Sequence, residues 1–180
     1  RVEIGCGGYS GVFHADPDIL LEEDHALRQF QETLKKYDME ISALNCSGNP
    51  VHPQRKIANA FHQAFEKGVL LAEQLGVDTV ITFSGCPGAS DSDQYPNWVT
   101  CFWPPEIWHS ILDYQWNQIL IPYWREAITF AEIRGIKVGL EPIAGFCVYN
   151  PETFWRLHDS IGSAHLGVNL DLSHLFWQGA

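Results

Sequence analysis

Glu141 and Asp171 are the residues of this chain whose types and spacing best suit chemistry. Each closes a short run, Lys137 to Glu141 and Gly167 to Asp171, that reads as a β-strand ending at a loop. Side-chain alternation sets Val138 and Leu140 on one face of the first run and Gly139 and Glu141 on the other. In the second, Val168 and Leu170 oppose Asn169 and Asp171. If the apolar pairs face covering helices, both carboxylates point the same way, close enough on adjacent strands to hold one divalent cation. Without a cation or a shared proton they would repel each other. Oxygen ligands suit Mg²⁺ or Mn²⁺; an added imidazole shifts the choice toward Mn²⁺, Zn²⁺ or Co²⁺. His174 supplies one, three residues after Asp171 in Asp-Leu-Ser-His. The plainer alternative makes Glu141 a capping or salt-bridged acid and Asp171 a turn residue.

The elements that must position these residues repeat. Val2 to Gly5, Glu40 to Asn45 and Asp78 to Phe83 are three further strand candidates. Between the strands lie helical patterns. Asp16-Pro17 reads as an N-cap with proline at the first helical position, followed by Leu20, Leu27, Phe30 and Leu34 at helical spacing. Ala58 to Leu75 carries the next apolar stripe, stopped by Gly76, and Asn150-Pro151-Glu152 opens a helix that ends before Gly162. Pro105 to Arg134 is helical in period, with Pro122 expected to kink or divide it. Strand, helix, strand at this spacing predicts parallel βαβ units with right-handed crossovers. No GxGxxG or GxxxxGK[ST] follows a strand, so an α/β barrel is preferred to an open nucleotide-binding sheet. In such barrels the active site lies at the C-terminal strand ends, here Glu3, Asn45, Ser84, Glu141 and Asp171. A complete (β/α)₈ barrel takes about 250 residues. Five strands in 180 residues therefore lead us to expect one incomplete barrel domain, 1–180, truncated at both ends.

Composition narrows the function. Asp and Glu number 22 against 11 Lys and Arg, and the net charge of −11 argues against a nucleic-acid partner. No apolar run reaches the roughly 20 residues of a membrane span, and the N-terminus lacks signal-peptide order. Cys6, Cys46, Cys86, Cys101 and Cys147 form no CxxC pair, so neither a disulfide framework nor a structural zinc site is expected, and a cytoplasmic location follows. Cys6, Cys46, Cys86 and Cys147 all fall at strand ends, where packing of the mouth is preferred to metal ligation. From Ser84 to about Trp103 there is no period, but Pro87, Pro96, Tyr95, Trp98, Phe102 and Trp103 are concentrated there. Such a segment serves as a lid or binding loop, or else as a contact between copies in a homo-oligomer or a cover for exposed helix ends. Trp98, Trp103, Phe146 and Trp177 form a candidate apolar wall against a sugar ring.

Gly-Leu-Glu141, Asn-Leu-Asp171-Leu-Ser-His174-Leu and the early Val-Glu-Ile-Gly together resemble the xylose-isomerase-like TIM barrels, the sugar phosphate isomerases/epimerases with endonuclease IV as a distant relative. The segments FSGCPG, YPNW, CFWPPE, YNPETFWRL and DLSHLFWQG resemble one bacterial subgroup of these, over nearly the whole chain. The resemblance implies one divalent metal held by Glu, Asp, His and Glu from four successive late strands. Glu141 and Asp171 match the first two, and the other two would fall beyond Ala180. The strands here would then be two to six of eight, and the piece alone is expected to be inactive. His174 matches a family histidine that contacts substrate oxygens, or a second metal in the endonuclease branch. His52, after the second strand candidate, falls where the family often lines its site, with a role at a helix start as the alternative. The chain departs from the subgroup's Glu-x-His-Pro-Gly run, reading Glu141-Pro142-Ile143-Ala144-Gly145, which removes one polar contact.

The resulting expectation is a metal-dependent isomerase or epimerase that acts on a small-molecule sugar or sugar phosphate through an enediolate. Glu141 would be the catalytic base and a metal ligand, Asp171 a metal ligand, and His174, His52, Asn45 and Trp103 the substrate-binding residues. The alternatives are an abasic-site endonuclease-like phosphodiesterase and a non-catalytic carbohydrate-binding barrel.

Overall fold

The computed structural model describes residues 1–101 and 103–179. Phe102, named above among the loop aromatics, and Ala180 lie outside the described residues. The sheet consists of β1 (Val2–Gly5), β2 (Ile41–Asn45), β3 (Thr79–Thr82), β4 (Lys137–Leu140) and β5 (Leu166–Val168), all parallel, in sequential order. Parallel neighbours in sequential order are what right-handed βαβ crossovers produce, and they form an arc of a TIM barrel. Leu44, Val80, Val138, Leu140 and Leu166 bury one side of this arc in the core that the sheet shares with the helices.

The helices are α1 (Pro17–Leu20), α2 (Asp24–Lys36), α3 (Arg55–Leu75), α4 (Pro105–Asp113), α5 (Ile121–Glu132), α6 (Pro151–Ile161) and α7 (Leu172–Trp177). Asp16 caps α1 by accepting from the Asp18 N–H, as Asp16-Pro17 predicts. The single helix expected from Asp16 to Leu34 is instead two, because the chain turns at Leu21 to Glu23 before α2 begins. That turn lets Leu20 and Leu27 bury in the same core from separate axes. α6 opens on a capping box between Asn150 and Thr153 and closes on the left-handed Gly162. Between α4 and α5 the backbone widens into a π-helical stretch, Tyr114–Leu120. Pro122, at the start of α5, has no N–H to offer the preceding turn, and the wider register absorbs that loss. The fifth strand ends at Val168 rather than Asp171. Val168 and Leu170, expected against helices, are 44% and 54% exposed because β5 is the edge of the sheet.

Among the described residues, the long segment from Ser84 to Pro104 contains no helix or strand, but its backbone is tied down. Gln115, 1% exposed on the π-helical stretch, donates Nε2 to the carbonyls of Pro87, Gly88 and Asn97. Asn49 donates to Cys86 O and accepts from Cys86 N–H, clamping the loop after β2 to the loop after β3. Gly85 lies beneath that clamp at φ 82°, where a Cβ would stand 2.5 Å from Val51 Cγ2. Gln115→Leu is expected to orphan the Gly88 and Asn97 carbonyls, while Pro87 O keeps the Asn97 N–H, costing about 1–3 kcal/mol for groups left unpaired in the interior. Amide exchange over 87–97 should then speed up while that of β3 and β4 stays slow; unchanged protection in the loop would contradict this anchoring.

Candidate metal centre

The ladder continues one residue beyond the strand ends. Glu141 N–H donates to Thr82 O and Asn169 N–H to Leu140 O, extending the pairs Thr82 with Leu140 and Leu140 with Val168. Phe83, Glu141 and Asn169 are therefore neighbours in one row at the C-terminal rim of the sheet. Just below them Ile81, Gly139 and Gly167 form the preceding row on the same face. A Cβ on Gly139 would meet Asn169 Cβ and Ile81 Cγ1 at 3.6 Å, which places all three on that side.

From this rim Glu141 meets two residues of the next turn of chain. Asp171 is the N-cap of α7, its Oδ1 accepting from the Ser173 N–H at 2.8 Å, and His174 lies on the first turn of that helix. His174 Nε2 is 3.0 Å from Glu141 Oε1 and 3.6 Å from Asp171 Oδ2. One donor atom from each of Glu141, Asp171 and His174 falls within 4.8 Å of the other two. A cation at about 2.0–2.3 Å from its ligands spans donors at such separations, and two carboxylates with an imidazole are the donor set of Mg²⁺, Mn²⁺, Zn²⁺ or Co²⁺. The residues present fit the group. Hydrogen bonds from Ser173 hold the Asp171 carboxyl below the usual aspartate range, so it stays ionised and able to ligate in mild acid. Glu141 is the most enclosed of the three, with 14% of its side chain exposed. Its second oxygen, Oε2, accepts from Asn169 Nδ2 at 3.0 Å.

The family model of the xylose isomerase-like TIM barrel matches residues 2–180. The chain belongs to that family. It is 41% identical to the uncharacterized protein YfiH of Bacillus subtilis (strain 168) over 99% of its own length, and it spans 57% of that relative's length. Among solved structures it resembles a D-tagatose 3-epimerase-like protein, with a TM-score of 0.63 and 20% identity over 96% of this chain and 56% of that one. A xylose isomerase-like TIM barrel protein from Mycobacterium smegmatis in complex with magnesium gives a TM-score of 0.58 and 16% identity over 85% and 48% of the two chains. The IOLI protein with a bound zinc atom gives 0.59 and 17% over 91% and 52%. At these identities the solved structures share the fold with this xylose isomerase-like barrel.

The remaining expected site residues of this xylose isomerase-like barrel lie apart from the cluster. Asn45 ends β2 and its amide is engaged within the protein: Nδ2 donates to Glu3 Oε1 at 2.6 Å, and Oδ1 accepts from Ser10 Oγ, Ser47 N and Ser47 Oγ. His52 stands at the start of α3, its Nδ1 accepting from the N–H of the N-cap residue Gln54 at 3.0 Å. Trp103 is 79% exposed, and its carbonyl accepts from Trp108 Nε1. Ser84 turns to the helix side, where its Oγ accepts from Val148 N–H. Cys6, Cys46, Cys86 and Cys147 are buried free thiols and Cys101 is exposed.

Partial burial holds His52 below the ordinary histidine pKa of 6.5. The folded state then binds fewer protons than the unfolded chain just below pH 6.5, so the stability His52 lends is present above that pH and lost as pH falls. The His52 ring proton shift should titrate with a midpoint below 6.5 in an NMR pH series; a midpoint at or above it would contradict this placement.

Sequence reasoning did not single out Asn169, Phe83, Tyr9 or Phe61. Alternation already put Asn169 on the face of Asp171, and Phe83 was visible as a strand end. The four rings Phe61, Tyr9, Phe83 and Phe146 form a continuous series, with centroids 4.7 Å apart for Phe61 and Tyr9, 6.3 Å for Tyr9 and Phe83, and 4.9 Å for Phe83 and Phe146. Of the aromatic wall expected above, Phe146 joins this series. Trp98 instead packs edge-on against Tyr149, and Trp177 is 82% exposed. A separate cavity of about 440 Å³, lined by His62, Glu66, Tyr123 and Glu126, lies between α3 and α5 and shares no residue with the cluster.

Proposed function

We propose that the protein is a metal-dependent isomerase or epimerase acting on a small polyhydroxylated carbonyl compound. The observation that carries this reading is the convergence of Glu141, Asp171 and His174 at the C-terminal rim of a xylose isomerase-like barrel. Glu141, Asp171 and His174 would hold the divalent ion. When bound, it polarises the carbonyl and a neighbouring hydroxyl of the sugar and so acidifies the C–H bond near them.

The chain's own residues supply the rest. Glu141 reaches the mouth from a fixed strand end and is placed to accept the proton from that carbon. His174, anchored on the first turn of α7, turns Nε2 toward Glu141 and Asp171 and would complete the ligand set beside it. Phe83 flanks Glu141 on the β3 side and offers an apolar face against C–H groups of a sugar. Return of the proton to the same carbon from the opposite side gives an epimer; return to the neighbouring carbon gives an isomer. Aromatic rings, with the carboxylates of Glu141 and Asp171 at the rim, favour an uncharged sugar over its phosphate. The chain spans 57% of the length of the B. subtilis relative, and the activity is proposed for a full-length protein of that kind.

Incubating that protein in D₂O with a panel of ketoses and Mn²⁺, Mg²⁺, Zn²⁺ or Co²⁺ is expected to place deuterium at a single carbon beside a carbonyl, followed by NMR, with product of altered configuration or carbonyl position. Metal-independent exchange, or phosphodiester cleavage without any exchange, would reject the proposal.

A further inference from the structure

We propose that Asn169 is a positioning residue for the Glu141 carboxylate, a role that rests on the metal-centre reading above. The backbone of Asn169 is fixed first, because its N–H extends the β4 ladder by donating to Leu140 O at 2.9 Å. That bond sets the Asn169 side chain beside Glu141, where Nδ2 reaches Oε2 at 3.0 Å. With Oε2 held, Oε1 is the oxygen turned toward His174 Nε2 and toward the space enclosed with Asp171.

The chemistry of an amide suits this task. A glutamate carboxylate rotates about three side-chain bonds, and one hydrogen bond to a single oxygen removes most of that freedom. The donor is neutral, so it fixes the carboxylate without neutralising it and would not repel a cation held by the other oxygen, as a lysine or arginine would. On the opposite flank of Glu141 stands Phe83, which donates nothing, so Asn169 is the hydrogen-bonding neighbour in this row of the rim. Enclosure of Glu141 strengthens the bond relative to one in open water. Outer-shell partners of metal ligands typically carry 10- to 100-fold of metal affinity.

The test is a titration of the full-length protein with Co²⁺, comparing wild type, Asn169→Leu, Asn169→Ala and Glu141→Gln. Leucine keeps the size of the side chain and removes the donor; alanine serves if leucine disturbs folding. The expected result is a dissociation constant raised roughly 10- to 100-fold in the Asn169 variants. A changed visible absorption band of bound Co²⁺ should accompany it, with the melting temperature of the metal-free protein unchanged. Wild-type affinity and spectrum in both Asn169 variants, with metal lost in Glu141→Gln, would overturn the positioning role and leave the metal centre standing. Metal retained at wild-type affinity in Glu141→Gln would instead overturn the metal-centre reading itself.

Discussion

Glu141→Gln should lower turnover of the full-length protein by about 10²–10⁴-fold, the usual contribution of a positioned acid–base group. It should also release most of the bound metal. The substitution is nearly isosteric: the amide can still meet His174, but it cannot carry the negative charge that offsets a divalent cation. Asp171→Asn should lose metal with a smaller effect on folding, because an asparagine side chain still caps α7 through the Ser173 N–H. Metal content by mass spectrometry after dialysis and turnover by NMR read the two effects separately. Retention of the metal in both variants would move the site away from this rim, even if the barrel fold stands.

Trp124→Ala carries the largest expected loss of stability. Trp124 is fully buried on α5, packed edge-on against Phe65 at 5.8 Å and Tyr123 at 5.2 Å. Its Nε1 donates to Ser84 O at 2.9 Å, so it supports the backbone just beyond β3, next to Phe83. Removing the ring leaves a cavity and an unpaired carbonyl, at a cost of about 3–5 kcal/mol. For a chain of this size that corresponds to a fall in melting temperature of roughly 6–20 °C. Trp124→Phe fills most of the volume but still orphans Ser84 O, and its cost should be the smaller, about 1–3 kcal/mol. Calorimetry on both variants separates packing from hydrogen bonding; equal losses would show that refilling the volume recovers nothing and that the lost indole N–H bond carries the whole effect.

Several parts of the fold were legible because their signals are local. Pro17 after Asp16, Gly76, the Asn150-Pro151 start and Gly162 act within one turn of chain, and each marks a helix end in the structure. The strands were legible from their apolar runs, and their parallel, sequential order followed from the helices between them. The break between α1 and α2 was not, because Leu20 and Leu27 keep helical spacing whether the axis bends or not. The end of β5 was also misplaced: alternation continues through Asn169 to Asp171, whereas the ladder bonds that define the strand stop earlier.

For the site, the residue types and their placement at strand ends belong to the sequence. Glu141, Asp171 and His174 could be picked out because carboxylates closing apolar strands, with a histidine one helical turn onward, are a local pattern. Which of the other polar residues share that rim was decided by tertiary structure alone. Asn45 closes a strand just as Glu141 does, yet its amide is taken up by Glu3, Ser10 and Ser47. His52 is consumed by the start of α3. Phe83 and Asn169 become the flanks of Glu141 through the register of β3, β4 and β5. Periodicity tells which face of its own strand a side chain takes; the pairing of separate strands settles what stands beside it, and that pairing is fixed by hydrogen bonds between residues far apart in the chain.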